Sequence, residues 1–347
     1  MAKLSIGLIG CGRVAQSVHL PILTSLPDVH IVALADPYPQ QREKALRRAP
    51  GAAALADYQT LLDMPEVGAV VICAPNELHA RATVAALDRG KHVYLEKPLA
   101  ITLDEADRVL ASWERAGVVG MIGLNYRFSR LYQEMKQRLR SRDLGEWVCA
   151  RTVLAAPETS LPAWKRFRRT GGGALLDMAS HHFDLMRFLF EDEISEVSAT
   201  LRSQRSEGDS AIVHIRLGGG LIIQSFLSIN TVNEDRIEVY TERAKVSADR
   251  YRSLGIDIVT ESGRIAGRRG LGRRLRSLGH GRYLLEKYLA PGREPSFRVA
   301  LAHFVEAVRE KRPGKPDFRD GYLSLATVLA AEESARSGRV VSLGVPL

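Results

Sequence analysis

A doubly wound α/β fold followed by a second, sheet-based half is the architecture this sequence predicts, on three observations. Over the first 124 residues, short apolar runs alternate with segments of helical period, the pattern of a parallel sheet with crossover helices. The first run closes on Gly10-Cys11-Gly12-Arg13-Val14-Ala15, a turn suited to a phosphate at the head of a helix. From about residue 145 onward, strand-like runs follow one another. A length of 347 residues exceeds what one small core fills and suits two domains, 1–124 and 125–347.

In chain order, Leu4–Ile9, Val29–Ala35, Ala69–Cys73, His92–Leu95 and Val118–Ile122 read as short buried strands. Between them, Thr102-Leu103-Asp104-Glu105 is a capping box, with Ala106, Val109, Leu110 and Trp113 at helical spacing and Gly117 as the stop. Asn76 is placed to cap another helix, which Gly90 closes. Beyond 145, Val148–Leu154, Val197–Leu201, Ala211–Leu217, Leu221–Leu227, Arg236–Tyr240 and Lys245–Ala248 read as strands, with Gly218-Gly219-Gly220 as a hairpin loop. Phe297–Val308 and Tyr322–Ser334 read as amphipathic helices.

Composition narrows the function classes. Hydrophobic content of 45% and charged content of 26% are those of a globular protein. No apolar run approaches the ~20 residues that span a bilayer, and Cys11 and Arg13 stand where a signal-peptide cleavage region would be. No membrane partner and a cytoplasmic location are therefore expected. Cys11, Cys73 and Cys149 lack metal-ligand spacing and read as reduced thiols; no metal site is expected. Of the net charge of +9, seven arginines fall between Arg264 and Arg282, interleaved with glycines. That segment is either a solvated loop or an anion site. Nucleic acid is disfavoured as a partner, because no stacking aromatics accompany the arginines.

The first turn carries chemistry. Gly10 permits the tight turn, Gly12 lets backbone approach a pyrophosphate, and Ala15 packs helix on strand. Asp36, at the end of the second strand, can accept from a ribose diol and would repel a 2′-phosphate. NAD is therefore the expected cofactor, and NADP the less favoured one.

Together with that turn, four further segments carry a family resemblance. They are Ala74-Pro75-Asn76-Glu77-Leu78-His79, Gly90 to Leu99 (containing Glu96-Lys97-Pro98), Gly123-Leu124-Asn125-Tyr126-Arg127-Phe128, and Gly171 to Asp184. They resemble the glucose–fructose oxidoreductase / inositol dehydrogenase / rhizopine catabolism (Gfo/Idh/MocA) family, densely over the first half of the chain. The resemblance implies an N-terminal Rossmann domain. It also implies a C-terminal α/β domain with a large, mainly antiparallel open sheet, one face of which pairs subunits. A homo-oligomer, dimer or tetramer, is the expected state.

Asp177, His181 and Asp184 fall at i, i+4 and i+7 of a helix expected over 173–190 and so share a face. The resemblance gives Lys97, Asp177 and His181 the catalytic positions: His181 as general base, Lys97 assisting by charge and hydrogen bonding, Asp177 orienting substrate and imidazole. It also brings Arg13, Val14, Ala74 and Pro75 to the cofactor, together with Asn76, His79, Glu96, Lys97 and Asn125. Arg127, Trp164, Arg168 and His182 are the expected substrate contacts. Ala179 replaces a glycine usual in the family. The segment Trp164–Arg169 is unusually basic, either snorkelling on the surface or clamping an anionic or nucleotide-linked sugar. The implied activity is hydride transfer between nicotinamide and a secondary hydroxyl or ketone of a sugar, inositol, aminosugar or nucleotide-sugar. The alternatives are a redox-neutral lyase or glycosidase working through transient oxidation, and a non-catalytic dinucleotide-binding protein.

Overall fold

The structure, a computed structural model, describes residues 3–157, 163–261, 281 and 283–344. The arginines of the segment 264–282 lie outside the described residues, as does the side chain of Trp164. The chain forms two compact units, Met1–Asn125 with Ala290–Leu325, and Tyr126–Leu289 with Ala326–Leu347.

The first unit is built on six parallel strands: β1 (Leu4–Ile9), β2 (Val29–Ala35), β3 (Ala53–Leu55), β4 (Ala69–Ile72), β5 (His92–Leu95) and β6 (Gly120–Ile122). Their order is β3-β2-β1-β4-β5-β6, so the strand sequence reverses between β1 and β4. In such sheets the ligand crevice lies outside the carboxyl ends at that reversal. β1, β4 and β5 are almost wholly buried, as continuous apolar strands covered on both faces must be. The capping box forms: the Thr102 hydroxyl accepts from the Glu105 amide at 3.3 Å, while the Glu105 carboxylate reaches the Ile101 amide at 3.1 Å. Gly117 ends that helix at φ 62°. Asn76 departs from expectation. It is the first helical residue of Asn76–Leu87 and buried, with Pro75 at the cap position.

The unit boundary differs from the division at 124/125. Helix Ser296–Glu310 belongs to the first unit. Its apolar face, Ala300, Leu301, Phe304 and Val308, is buried. Phe304 meets Tyr94 of β5 edge-on at 5.7 Å, and Phe297 meets His19 at 6.1 Å. Helical periodicity marks such a face without saying which sheet it covers.

The second unit holds an eight-stranded sheet: β7 (Trp147–Ala155), β8 (Ile194–Arg202), β9 (Ser210–Leu217), β10 (Ile222–Ser228), β11 (Glu234–Thr241), β12 (Ala244–Asp249), β13 (Asp257–Thr260) and β14 (Val341–Ser342). The order is β13-β12-β11-β7-β10-β9-β8-β14, antiparallel throughout except for the parallel β10–β7 pair. β9 and β10 alternate buried and exposed residues, the signature of one covered face. The opposite face carries Ile212, Ile222 and Phe226 to solvent, with Phe226 opposite Ile212 in the ladder.

The helix expected over 173–190 contains an irregularity. Residues Leu175–Ala179 form a π-helical turn, and Ser180–Phe190 continue as α-helix. Such turns widen a helix locally and recur at functional sites.

Candidate active site

The turns expected to bind a dinucleotide lie in the first unit, after β1, β2, β4 and β5. Gly10 has φ 89°, and a Cβ there would come within 2.8 Å of Cys73 and Ala74 backbone, so the turns after β1 and β4 abut. The Cβ direction of Gly12, by contrast, meets nothing within 4 Å. A pyrophosphate can approach backbone there, as the motif requires. Val14 begins the helix that leads away from the turn, and Ala15 is fully buried beneath it. The Cys11 thiol is pushed up to about 12 by burial and by the nearby Asp36 charge, which keeps it a neutral, inert packing group.

Asp36 anchors this turn from the end of β2. Its Oδ2 accepts from the Cys11 amide at 2.8 Å and its Oδ1 from the Tyr38 amide at 2.9 Å. A carboxylate has about four acceptor sites, so acceptor capacity remains for a ribose diol. Beside it, exposed Arg13, Lys44, Arg47 and Arg48, with Gln16 and Gln41, line a concavity of about 670 Å³, an attractive surface for phosphate charge.

The turns after β4 and β5 are tied together by His79. Its Nδ1 faces the Pro98 carbonyl at 2.6 Å and its Nε2 the Ala74 carbonyl at 2.9 Å. Burial pulls its pKa down, against the two carbonyls, which favour a charged ring. His79, expected at the cofactor, is 1% exposed and links these two turns internally. Glu96 is likewise engaged internally, bonding buried His19 at 2.8 Å. Burial raises the Glu96 pKa, but the His19 hydrogen bond and charge, with Lys97, outweigh it and hold the carboxyl below its usual range. A Cβ at Gly123 would come within 3.0 Å of that carboxylate. Lys97, the next residue, is partly exposed. Asn125 is buried, donating from Nδ2 to the Ser296 hydroxyl at 2.7 Å. Its Oδ1 is a buried acceptor with no hydrogen-bond partner among the described residues. The open cradle at Gly12 and this unsatisfied amide oxygen fit a dinucleotide with a carboxamide-bearing ring.

The other expected catalytic residues, Asp177 and His181, lie in the second unit. Between 171 and 187 every residue is buried except Asp177 and His181. The π-helical turn changes the spacing expected of an unbroken α-helix, yet both residues remain partly accessible. Asp177 accepts from Lys165 through both oxygens, at 2.8 and 2.7 Å. The glycine triplet makes this pairing possible. A Cβ at Gly172 would lie 2.1 Å from the Lys165 carbonyl oxygen, and Gly173 has φ 94°. The backbone of Ala163–Arg166 can therefore lie directly on the turn that opens the helix.

The other expected substrate contacts are held internally. Asp184 is buried and binds Arg127 at 2.8 Å (Nε) and 2.5 Å (Nη2), with Arg187 at 3.4 Å. Arg127 thus presents its fork to a protein carboxylate. Arg168 pairs with Glu332 at 2.5 Å through Nε, and its amide donates to Glu207 at 2.7 Å. His182 is fully buried, its Nε2 3.0 Å from Asp235 Oδ1. Adjacent helical residues point about 100° apart, so His182 and His181 face different surroundings. His181 instead stacks on Tyr126, centroids 4.4 Å apart and planes 12° from parallel.

Sequence reasoning missed Lys165 as the partner of Asp177, His19 as the partner of Glu96, and the Tyr126–Asp235 cluster. The glycine triplet was a signal for the first. The others join residues 77 and 109 positions apart, which single-chain spacing does not reveal.

Comparisons with known proteins bear on the family and the fold. Residues 4–124 match the family model described as the oxidoreductase family with NAD-binding Rossmann fold, and residues 132–247 match the GFO/IDH/MocA C-terminal domain. The myo-inositol 2-dehydrogenase of Thermotoga maritima is 26% identical over 347 residues, covering 97% of this chain and 98% of that protein. The levoglucosan dehydrogenase of Pseudarthrobacter phenanthrenivorans is 31% identical over 241 residues, covering 63% and 61% respectively. The solved oxidoreductase domain protein from Kribbella flavida superposes with a TM-score of 0.85 at 23% identity, covering 99% of this chain and 100% of that one.

Proposed function

This chain belongs to the GFO/IDH/MocA family of oxidoreductases, and from that premise we propose that it is an NAD(H)-dependent dehydrogenase of a cyclic polyol or sugar. The observation that carries the reading is that Asp177 and His181 alone are partly accessible on an otherwise buried stretch, 171–187. A carboxylate and an imidazole one turn apart, both partly accessible, can meet a ligand that the buried residues around them cannot touch. The names of the relatives, an inositol dehydrogenase and a levoglucosan dehydrogenase, favour a ring-borne secondary hydroxyl.

The roles follow from side-chain chemistry. When bound, the nicotinamide supplies the hydride acceptor or donor. His181 takes the proton of the substrate hydroxyl. Lys97, next to a carboxylate held ionised by His19, stabilises the developing alkoxide by its positive charge. Asp177 holds the Lys165 ammonium one helical turn from His181, so a hydrogen-bond donor and acceptor pair is available to neighbouring substrate hydroxyls. The turns at Gly12 and Asp36 would hold the pyrophosphate and adenosine ribose, and Asp36 would favour NAD over NADP by repelling a 2′-phosphate.

Exposed Ile212, Ile222 and Phe226 on one face of the second sheet support a homo-oligomer in which a second copy covers that face. The proposal is tested with a panel of inositols, anhydrosugars, hexoses and nucleotide-sugars, each with NAD⁺ and NADP⁺, followed by nicotinamide absorbance. A cyclic polyol or sugar that reduces NAD⁺ stoichiometrically, faster than NADP⁺, is the expected result. Product formation without net cofactor reduction would favour the redox-neutral chemistry instead.

A further inference from the structure

Beneath His181 lies a buried cluster that no role above has used. At its centre is Asp235 of β11, fully buried. Its Oδ2 accepts from the Tyr126 hydroxyl at 2.7 Å and from Arg250 Nε at 2.6 Å. Its Oδ1 accepts from the Tyr132 hydroxyl at 3.1 Å and lies 3.0 Å from His182 Nε2. Four partners on two oxygens fill the acceptor capacity of a carboxylate. Burial would raise the Asp235 pKa, but the Arg250 charge and the His182 hydrogen bond outweigh it and hold the group ionised. Burial also drives the Tyr126 and Tyr132 phenols well above their usual range, so both remain hydroxyl donors.

The cluster is aimed at one ring. Tyr126 stacks on His181 at 4.4 Å and 12°, is itself stacked by Tyr132 at 5.7 Å and 29°, and has the Arg250 guanidinium 4.8 Å from its centroid. The second torsion of a histidine joins sp³ to sp² carbon and has broad minima. Rotamer preference alone therefore leaves the imidazole plane loosely set, whereas a general base must aim one nitrogen at one proton. A flat neighbour with its own orientation fixed by a carboxylate oxygen, a cation and a second ring removes that freedom. The adjacent histidines divide the work: His182 ties the helix to Asp235, and His181 lies on the Tyr126 face.

We propose that Tyr126 is a positioning residue for the reaction, a ring platform that fixes the plane of His181 and is itself locked by Asp235, Arg250 and Tyr132. The inference rests on the assignment of His181 as general base, and its test has one arm that does not depend on it. In the first arm, proton NMR of the intact protein locates the His181 ring resonance, assigned by its loss in His181→Gln. Face-on stacking shifts that resonance upfield. The shift is retained in Tyr126→Phe, which keeps the ring, and abolished in Tyr126→Leu.

In the second arm, turnover is measured on the best substrate. Tyr126→Leu lowers kcat at least ~10-fold, in line with the cost of a small misplacement of a reacting group, with KM for cofactor unchanged. Tyr126→Phe recovers most of the loss, because it restores the platform though not the phenol bond. A wild-type His181 resonance without the upfield shift would overturn the platform, and the Tyr126→Phe spectrum decides the matter should Tyr126→Leu not fold. Loss of the shift with kcat unchanged would overturn the positioning role. Absence of any dehydrogenase activity in the wild type, with the upfield shift present, would strike the proposed function and leave the platform standing.

Discussion

Asp235 shows most clearly how a single residue links stability and site geometry. Its folded pKa lies below its ordinary value, so the unfolded chain binds the proton more readily in acid. Stability from this group is complete above the unfolded pKa of ~3.9 and is lost as pH falls through the folded pKa, so unfolding free energy rises with pH across that window. Asp235→Asn should destabilise the protein by ~3–5 kcal/mol at neutral pH, the range for breaking one partner of a buried pair. It should also flatten the acid limb of the stability curve. Urea unfolding of both proteins from pH 7 to pH 3 checks this; a parallel pair of curves would show that the ionised form is not what the cluster stabilises. Gly10, Gly12 and Asp36 were legible in the sequence because their roles are local, fixed by turn geometry and by position at strand ends. The partners His19, Tyr126 and Asp235 were not, because their meaning depends on contacts between distant segments.

The element that most repays attention is the turn of Leu175–Ala179 with its preceding glycines. Strand periodicity located the long strands within a few residues of where they lie. It passed over β3, β13 and β14, which have three, four and two residues, too few to display a period. Helical periodicity found the 173–190 segment but not its π-helical turn, since one widened turn barely alters the apolar repeat. Gly172 permits the Lys165 carbonyl to lie where a Cβ would stand, 2.1 Å away. Gly172→Ala therefore cannot be accommodated by a side-chain shift alone, and the backbone of Ala163–Arg166 must move. Turnover should fall by about 10-fold or more, as expected when a substrate-positioning pair is displaced, while cofactor affinity stays unchanged. Steady-state kinetics with a separate cofactor titration measures both. Unchanged turnover would show that the Lys165–Asp177 pair plays no part in the reaction.

At the scale of the whole molecule, both sheets were anticipated, and the family resemblance drew their character correctly: parallel in one unit, mainly antiparallel in the other. The ownership of helix Ser296–Glu310 was not anticipated, because an amphipathic face does not name its partner. Among the described residues, no helix is long and apolar enough to cross a membrane. The open face of the second sheet carries an expectation of its own. Phe226 is 38% exposed opposite Ile212, which is 44% exposed. Phe226→Asp should leave the monomer folded but shift light-scattering mass toward a single chain, because a charge desolvated at an interface is costly. A wild-type protein that is already monomeric at micromolar concentration would end that reading.

The central proposal is that dehydrogenation requires both Lys97 and His181. Its most direct test is single-turnover reduction of NAD⁺ by the wild type, Lys97→Ala and His181→Ala on the best substrate of the panel, with cofactor affinity measured alongside. Each variant is expected to lose ~10²–10⁴-fold in rate, the usual contribution of a positioned acid–base group, and to bind cofactor as the wild type does. Near-normal rates in both variants on a substrate that the wild type oxidises would contradict the account.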